Sequence, residues 1–294
     1  MAKISQQTLP TKSGETIVSF SIYRLLELAR ILSLDVVLGA CASSWFVAQL
    51  SGVTIESVTI LSLGVCVWLI YTADHLWDAY QLQHPAHTAR HSFHQHYFRG
   101  LVIVWLVMAA LGVALLFYIP PSIFRGGLML LGGVVTYFVV NHFINFNQIV
   151  PKEILAALLY TSGIFLPVAV QIEDLDLISY LVFGQFFLLA LANLTLISWY
   201  ELASDRLDGA PSLAIQYGRP SVQLISIICI LLSITLAVWM ILNAPLASHV
   251  VMIMMSLVLG SIWTFPVWYA KNKRYRWVAD GIFLLPAVFY PFIA

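Results

Sequence analysis

The chain has 294 residues, of which 61% are hydrophobic and only 10% charged, and its formal net charge is zero. No soluble domain of this size can hide so much apolar side chain, which excludes an ordinary globular enzyme. Without excess positive charge there is also no electrostatic footing for a nucleic-acid partner.

In chain order, about thirty mixed residues come first. They are too many and too polar for the front of a cleavable signal. Residues 1–30 read as a tail plus an amphipathic helix around Ile17–Ala29 that lies at a membrane surface. Nine apolar runs follow, at about 31–50, 53–73, 100–118, 123–144, 152–172, 177–199, 221–242, 246–270 and 278–294. Each approaches the ~20 residues that cross a hydrocarbon core roughly 30 Å thick. In lipid the backbone must satisfy itself, so these runs are expected to be helices. The expectation is an all-α integral membrane protein, with residues 31–294 forming one polytopic domain of about nine transmembrane helices.

The basic residues fix an expected orientation. With nine spans, the flanks on the N-terminal side hold Lys3, Lys12, Arg24, Arg30, Arg90, Arg99, Lys152, Arg206, Arg219, Lys271, Lys273, Arg274 and Arg276, against Arg125 alone on the other side. The positive-inside bias places the N-terminus in the cytoplasm of a multi-pass protein of the cell membrane.

Two acidic stretches fall on that same side. Asp74-His75-Leu76-Trp77-Asp78 follows the second run, and Glu201-Leu202-Ala203-Ser204-Asp205 follows the sixth, with Asp208 three residues on. Each carries carboxylates at i and i+4, which a helix sets on one face. A charge at membrane depth costs roughly 2.5–3.5 kcal/mol on insertion scales, so such residues are functional suspects by default. Paired carboxylates suit Mg²⁺, which takes oxygen ligands together with substrate phosphates. Other polar residues gather at the same level: Asp35, Asp280, Asn141, His142, Asn145 and Lys152, the last able to neutralise a phosphate. The picture is a central polar cavity open to the cytoplasm.

Six of the eight histidines crowd residues 75–96. His84, His87, His91 and His94 are spaced 3, 4 and 3, so a helix would align them as a stripe. Imidazole suits Zn, Fe, Cu or Ni, and it also hydrogen-bonds well at interfaces. Cys41, Cys66 and Cys229 lack ligand spacing and read as packing residues.

The second acidic region, from Tyr200 through Glu201, Asp205, Gly209, Ser212-Leu213 and Gly218, resembles that of the UbiA superfamily of intramembrane prenyltransferases. Asp74 to Asp78 is similar to the latter part of that family's Asn-Asp-x-x-Asp-x-x-x-Asp motif, and Lys152 matches its lysine at the start of the fifth helix. Ile70 and Tyr71 stand where the family has Asn-Asp, and Glu201 stands for an Asp. The resemblance implies nine helices around a cavity. It also implies Mg²⁺-dependent transfer of a prenyl group from an isoprenyl diphosphate to a lipophilic or aromatic acceptor. Asp74, Asp78, Glu201 and Asp205 would be the metal-binding catalytic residues, with Lys152, Asp208, Asn145 and Arg90 on the substrate. Intramembrane terpene cyclisation uses the same residues. The rival from another class is a non-catalytic membrane protein that binds a transition metal or a lipophilic ligand through the histidines.

Overall fold

The computed structural model describes residues 24–82, 84–86, 88–144, 151–209, 212–243 and 249–292, with the backbone alone for 137–144. Among these, all regular structure is helical. The helices are α1 (Arg24–Ile31), α2 (Leu34–Leu50), α3 (Ser57–Gln81), α4 (Ala89–His96), α5 (Phe98–Leu115), α6 (Pro121–Ile144), α7 (Lys152–Ala169), α8 (Leu177–Asp208), α9 (Leu213–Asn243), α10 (His249–Thr264), α11 (Pro266–Ala270), α12 (Arg274–Gly281) and α13 (Leu285–Phe289).

Five of these, α3, α5, α7, α8 and α9, are long and apolar enough to cross a membrane, and up to seven spans result if two bent pairs each count once. That is fewer than the nine runs in the sequence, and the differences have local causes. The first run divides between α1 and α2, which meet at 73° across Ser33, held at φ 57°. The eighth run ends at Thr264, because Pro266 has no N–H to donate and pushes Phe265 out of the helical region. The ninth is broken into α12, α13 and two 3₁₀ turns around Pro286 and Pro291.

The broken C-terminal segment nevertheless runs beside α2. Asp280 is in electrostatic reach of Asp35, Phe283 packs against Gly39 and accepts a hydrogen bond from Ser43, and Tyr290 packs edge-on against Phe46 at 5.6 Å. These contacts follow α2 from its first turn to its last, so the two segments are parallel.

α8 is the central helix, packed by α7, α9, α10 and α12. Its buried face carries Phe186, Leu189 and Leu196, which meet Ile164 of α7, Met240 of α9, and Met252, Met255 and Leu259 of α10. Sparse polar ties cross the same core. Gln185 donates to the Ser233 carbonyl at 2.9 Å, Ser226 donates to the Ala192 carbonyl, and Asn193 donates to the Ala279 carbonyl at 3.0 Å. In lipid each such bond contributes about 0.6 kcal/mol, which fixes registry more than it adds stability. The opposite faces are apolar and open: Ile103, Val107 and Val113 on α5, Leu128 and Met129 on α6, and Leu224, Leu231 and Leu242 on α9. Exposed apolar surface on this scale marks contact with lipid.

The two ends of the bundle differ. One gathers the last turns of α3 and α8, the first turns of α2, α7 and α9, and α4 and α12. The other holds a cavity of about 380 Å³ between Val47, Phe165, Val182 and the buried His249, with Asp174 and Asp176 at its edge.

Two outcomes test this arrangement. A cysteine replacing His84 and one replacing Arg206 should be labelled by an impermeant reagent from the same side of the membrane. A methyl group on Gly39 would lie 2.9 Å from the Phe283 Cβ. Gly39→Ala should therefore destabilise the protein by about 1–3 kcal/mol, the usual cost of overpacking. Gly132→Ala, which meets open space, should leave the thermal midpoint in detergent unchanged or raise it.

Candidate functional site

Both acidic stretches belong to helices that outrun the membrane. At 1.5 Å per residue the 32 residues of α8 span about 48 Å, against a hydrocarbon core of roughly 30 Å. Its last two turns, which carry Glu201, Asp205 and Asp208, are thus an extension. α3 does the same, running to Gln81 rather than stopping near residue 73.

The turn after the second motif is pinned on three sides. Gly209, at φ 66°, takes the left-handed cap that ends α8, and its N–H reaches the Asp205 carbonyl. The first N–H groups of a helix have no partner within it. Here the Leu213 N–H donates to Glu153 Oε1 of α7 at 2.7 Å, and the Ala214 N–H donates to Ser198 Oγ of α8 at 3.0 Å. Gly218, at φ 79°, then breaks the start of α9 from its long part.

α4 brings the motifs together. The Thr88 side chain caps it by accepting from the His91 N–H. Gln95 donates to the His84 carbonyl and accepts from the Ala86 N–H, folding the preceding segment onto the helix. His91 then lies between the two acidic stretches, its Nε2 3.6 Å from Asp78 Oδ2 and its Nδ1 3.7 Å from Asp208 Oδ2. Both separations exceed a hydrogen bond, and either becomes an ion pair only when His91 takes a proton.

Behind His91 sits His75, buried on α3. Its Nε2 is 3.2 Å from Arg90 Nη1 and 3.3 Å from Ser33 Oγ, and its ring lies 5.2 Å from that of His94. A guanidinium can only donate, so this pairing assigns the ring proton of neutral His75 to Nδ1. Arg90 also donates from Nη2 to the Arg30 carbonyl. Burial holds His91 below its ordinary pKa, assisted by Arg90 and Arg276 and opposed by Asp208. Burial likewise lowers His94, and burial together with Arg276 brings Arg90 down to about 10.

Glu201 is engaged elsewhere. Tyr275 donates to its Oε1 at 3.0 Å and Arg276 to its Oε2 at 3.1 Å, so it ties α8 to α12. Lys152, exposed at the start of α7, lies in electrostatic reach of Asp74, Asp78 and Asp205.

The residues singled out in the sequence therefore divide. Asp74, Asp78, Asp205, Asp208, Lys152, Arg90, His91 and His94 gather at one end of the bundle. The spacing predicts one stripe for His84, His87, His91 and His94, but α4 begins only at Ala89. His84 precedes Pro85, which disfavours helix at that position, and its Nδ1 turns to the Pro85 carbonyl at 3.1 Å. His87 and Asn145 lie outside the described residues. His75, Tyr275, Arg276 and Glu153 carry roles that motif reading missed. Only His75 left a signal, three residues before Asp78 on the same helical face. Among the described residues, His75, Asp78 and His91 could hold a metal ion, with one ligand atom of each within 4.8 Å of the others.

The lowered pKa of His91 and His94 gives a pH dependence with a definite sign. Unfolded histidine takes a proton near 6.5, and these two take it only below that. Stability from keeping them neutral is thus full above pH 6.5 and is lost as pH falls toward their folded values. Hydrogen exchange of peptides covering residues 88–97, corrected for intrinsic rate, should be faster at pH 5 than at pH 7.5. Replacing both histidines with Gln should remove the difference.

No family model, curated protein or solved structure matches this chain, so the functional reading rests on its own residues.

Proposed function

We propose that this chain is an intramembrane prenyltransferase of the UbiA type, which binds an isoprenyl diphosphate with Mg²⁺ and transfers the prenyl group to a lipophilic acceptor. In this reading the chain crosses the cell membrane nine times, with its N-terminus and both acidic motifs cytoplasmic, around a cavity that takes the isoprenoid. The observation that supports it best is the meeting of Asp78 and Asp208, from motifs 130 residues apart in sequence, on the two nitrogens of His91.

The donor set suits the ion. Asp74, Asp78, Asp205 and Asp208 offer hard carboxylate oxygens from two helices, the preference of Mg²⁺. Glu201 fits less well, because Tyr275 and Arg276 already occupy its oxygens. When bound, Mg²⁺ offsets the charge that develops on a departing diphosphate. The chain's own groups do the rest. Lys152 places a positive charge beside the same carboxylates, where it can meet the diphosphate as a point charge. His91 holds the two motifs at a fixed spacing.

The His75–Asp78–His91 cluster favours a second reading, a transition-metal site in a non-catalytic protein, since two imidazoles and one carboxylate form a familiar ligand set. Arg90, 3.2 Å from His75 Nε2, opposes it by placing a fixed positive charge against one ligand.

Purified protein should be incubated with Mg²⁺ and a panel of isoprenyl diphosphates, with and without aromatic acceptors. The expected outcome is pyrophosphate release, abolished by Asp78→Ala and by Asp205→Ala in folded protein. Lys152→Ala should weaken diphosphate binding by about 1.5–3 kcal/mol, the scale of a charge-assisted hydrogen bond. Stoichiometric Zn, Fe or Cu in the purified parent, lost on His75→Ala or His91→Ala and accompanied by no diphosphate binding, would replace this reading with the second.

A further inference from the structure

Beside the acidic motifs, at the same end of the bundle, lies a crevice of opposite character. Its walls are Arg30 and Ile31 of α1, Thr88 and Ala89 before and at the start of α4, Arg90 of α4, Lys273 in the turn before α12, and Arg276 of α12. Four of these seven side chains are cationic and none is acidic. Burial, and after it the neighbouring Arg276, hold Arg90 below its ordinary value.

The nearby carboxylates do not close the account. Glu27 reaches Arg30 only at Nη2, at 3.9 Å, Glu201 takes Arg276 at Nη2, and Asp35 and Asp280 lie in electrostatic reach of Arg90 and Arg276 without a hydrogen bond to either. Arg30 Nη1 and Arg276 Nε are left buried without an acceptor among the described residues. The Arg30 side chain is only 9% exposed and lies over the Trp277 ring at 5.0 Å. An unpartnered guanidinium N–H in such a place is costly, and an anion is the partner that would satisfy it. Thr88 adds a hydroxyl: its Oγ1 accepts from the His91 N–H and still has its own proton to donate.

From this geometry we infer a binding site for a phosphate group, held by Arg30, Arg90, Lys273, Arg276 and Thr88. Phosphate fits the donor set better than a carboxylate does, because its three acceptor oxygens can meet Arg30 Nη1, Arg276 Nε and the Lys273 ammonium from separate segments, while Arg90, whose Nη1 and Nη2 face His75 and the Arg30 carbonyl, adds positive charge behind them. The crevice is small, about 10 Å³, close to the room for one water molecule. It therefore admits one phosphate oxygen and leaves the rest of the phosphate group at the mouth, beside exposed Lys273. A phospholipid headgroup and soluble phosphate offer the same chemistry. Basic pockets between membrane helices bind such headgroups. The site contains neither acidic motif and does not depend on the transferase reading.

The full chain in a phosphate-free nonionic detergent with EDTA provides the test, because EDTA removes Mg²⁺ and with it any binding through the carboxylates. Thermal unfolding is followed while inorganic phosphate is added, and separately while phosphatidylglycerol in phosphatidylcholine vesicles is added. Controls are chloride at equal ionic strength and phosphatidylcholine alone. The expected result is a saturable rise in the midpoint with at least one probe. Lys273→Gln, an exposed substitution that should fold normally, should weaken the apparent affinity about tenfold or more, the loss of one charge-assisted contact. Glu173→Gln, an exposed substitution at the other end of the bundle, should leave it unchanged. Saturation by phosphatidylglycerol alone assigns a lipid headgroup, and saturation by phosphate assigns a soluble ligand. No saturable shift with either probe, a shift that chloride reproduces, or a shift that survives Lys273→Gln would overturn the site.

Discussion

His91 between Asp78 and Asp208 is the contact on which the functional end of this molecule depends. At 3.6 and 3.7 Å it is longer than a hydrogen bond, and the neutral imidazole acts by where it sits, between the two carboxylates. The carboxylates stand on the ends of two long helices. α4 links them through His91, and α4 in turn is held by the Thr88 cap, by Gln95 and by Arg90. Lys152 adds a second link, in electrostatic reach of Asp74 and Asp78 on one side and Asp205 on the other.

A layered charge arrangement follows. Carboxylates of α3 and α8 lie to one side, with Lys152 beside them. Guanidinium groups of Arg30, Arg90 and Arg276 lie to the other, and His75 forms the seam, accepting from Arg90 while its ring packs against those of His91 and His94. Glu201 crosses the boundary by pairing with Arg276. Asp35 and Asp280 lie within electrostatic reach of the guanidinium groups, so the division is partial, yet one end of a small helical bundle still offers a carboxylate-rich face and a guanidinium-rich face within a few side chains of each other. A single pool of mixed charge would neutralise itself and bind neither cation nor anion.

The rest of the bundle serves to place these groups. Glu153 and Ser198 do so most directly, capping the first N–H groups of α9 and thereby fixing the turn that carries Gly209 after Asp208. Deeper in the bundle, Asn193 ties α8 to the Ala279 carbonyl and so holds α12, with Tyr275 and Arg276, against the second motif. The apolar packing of α8 against α7, α9 and α10 supplies a rigid post, and its far end, near His249, shares no residue with the site.

The sequence by itself determined the helical membrane-embedded character, because apolar runs of about twenty residues admit no other satisfied backbone. It also determined the two acidic pairs and their helical faces, since i and i+4 spacing is a local property. Its nine apolar runs correspond to five to seven candidate spans among the described residues, because a hydropathy run does not register that Pro266, Pro286 and Pro291 each remove an N–H. The partnerships were decided by tertiary structure alone. Asp78 and His91 are thirteen residues apart, but Asp208 lies far along the chain. Glu201 faces Arg276 rather than open solvent because α12 folds back against α8. Nothing periodic in the sequence encodes a pairing between distant helices; it arises only when the packed core sets their relative rotation and height.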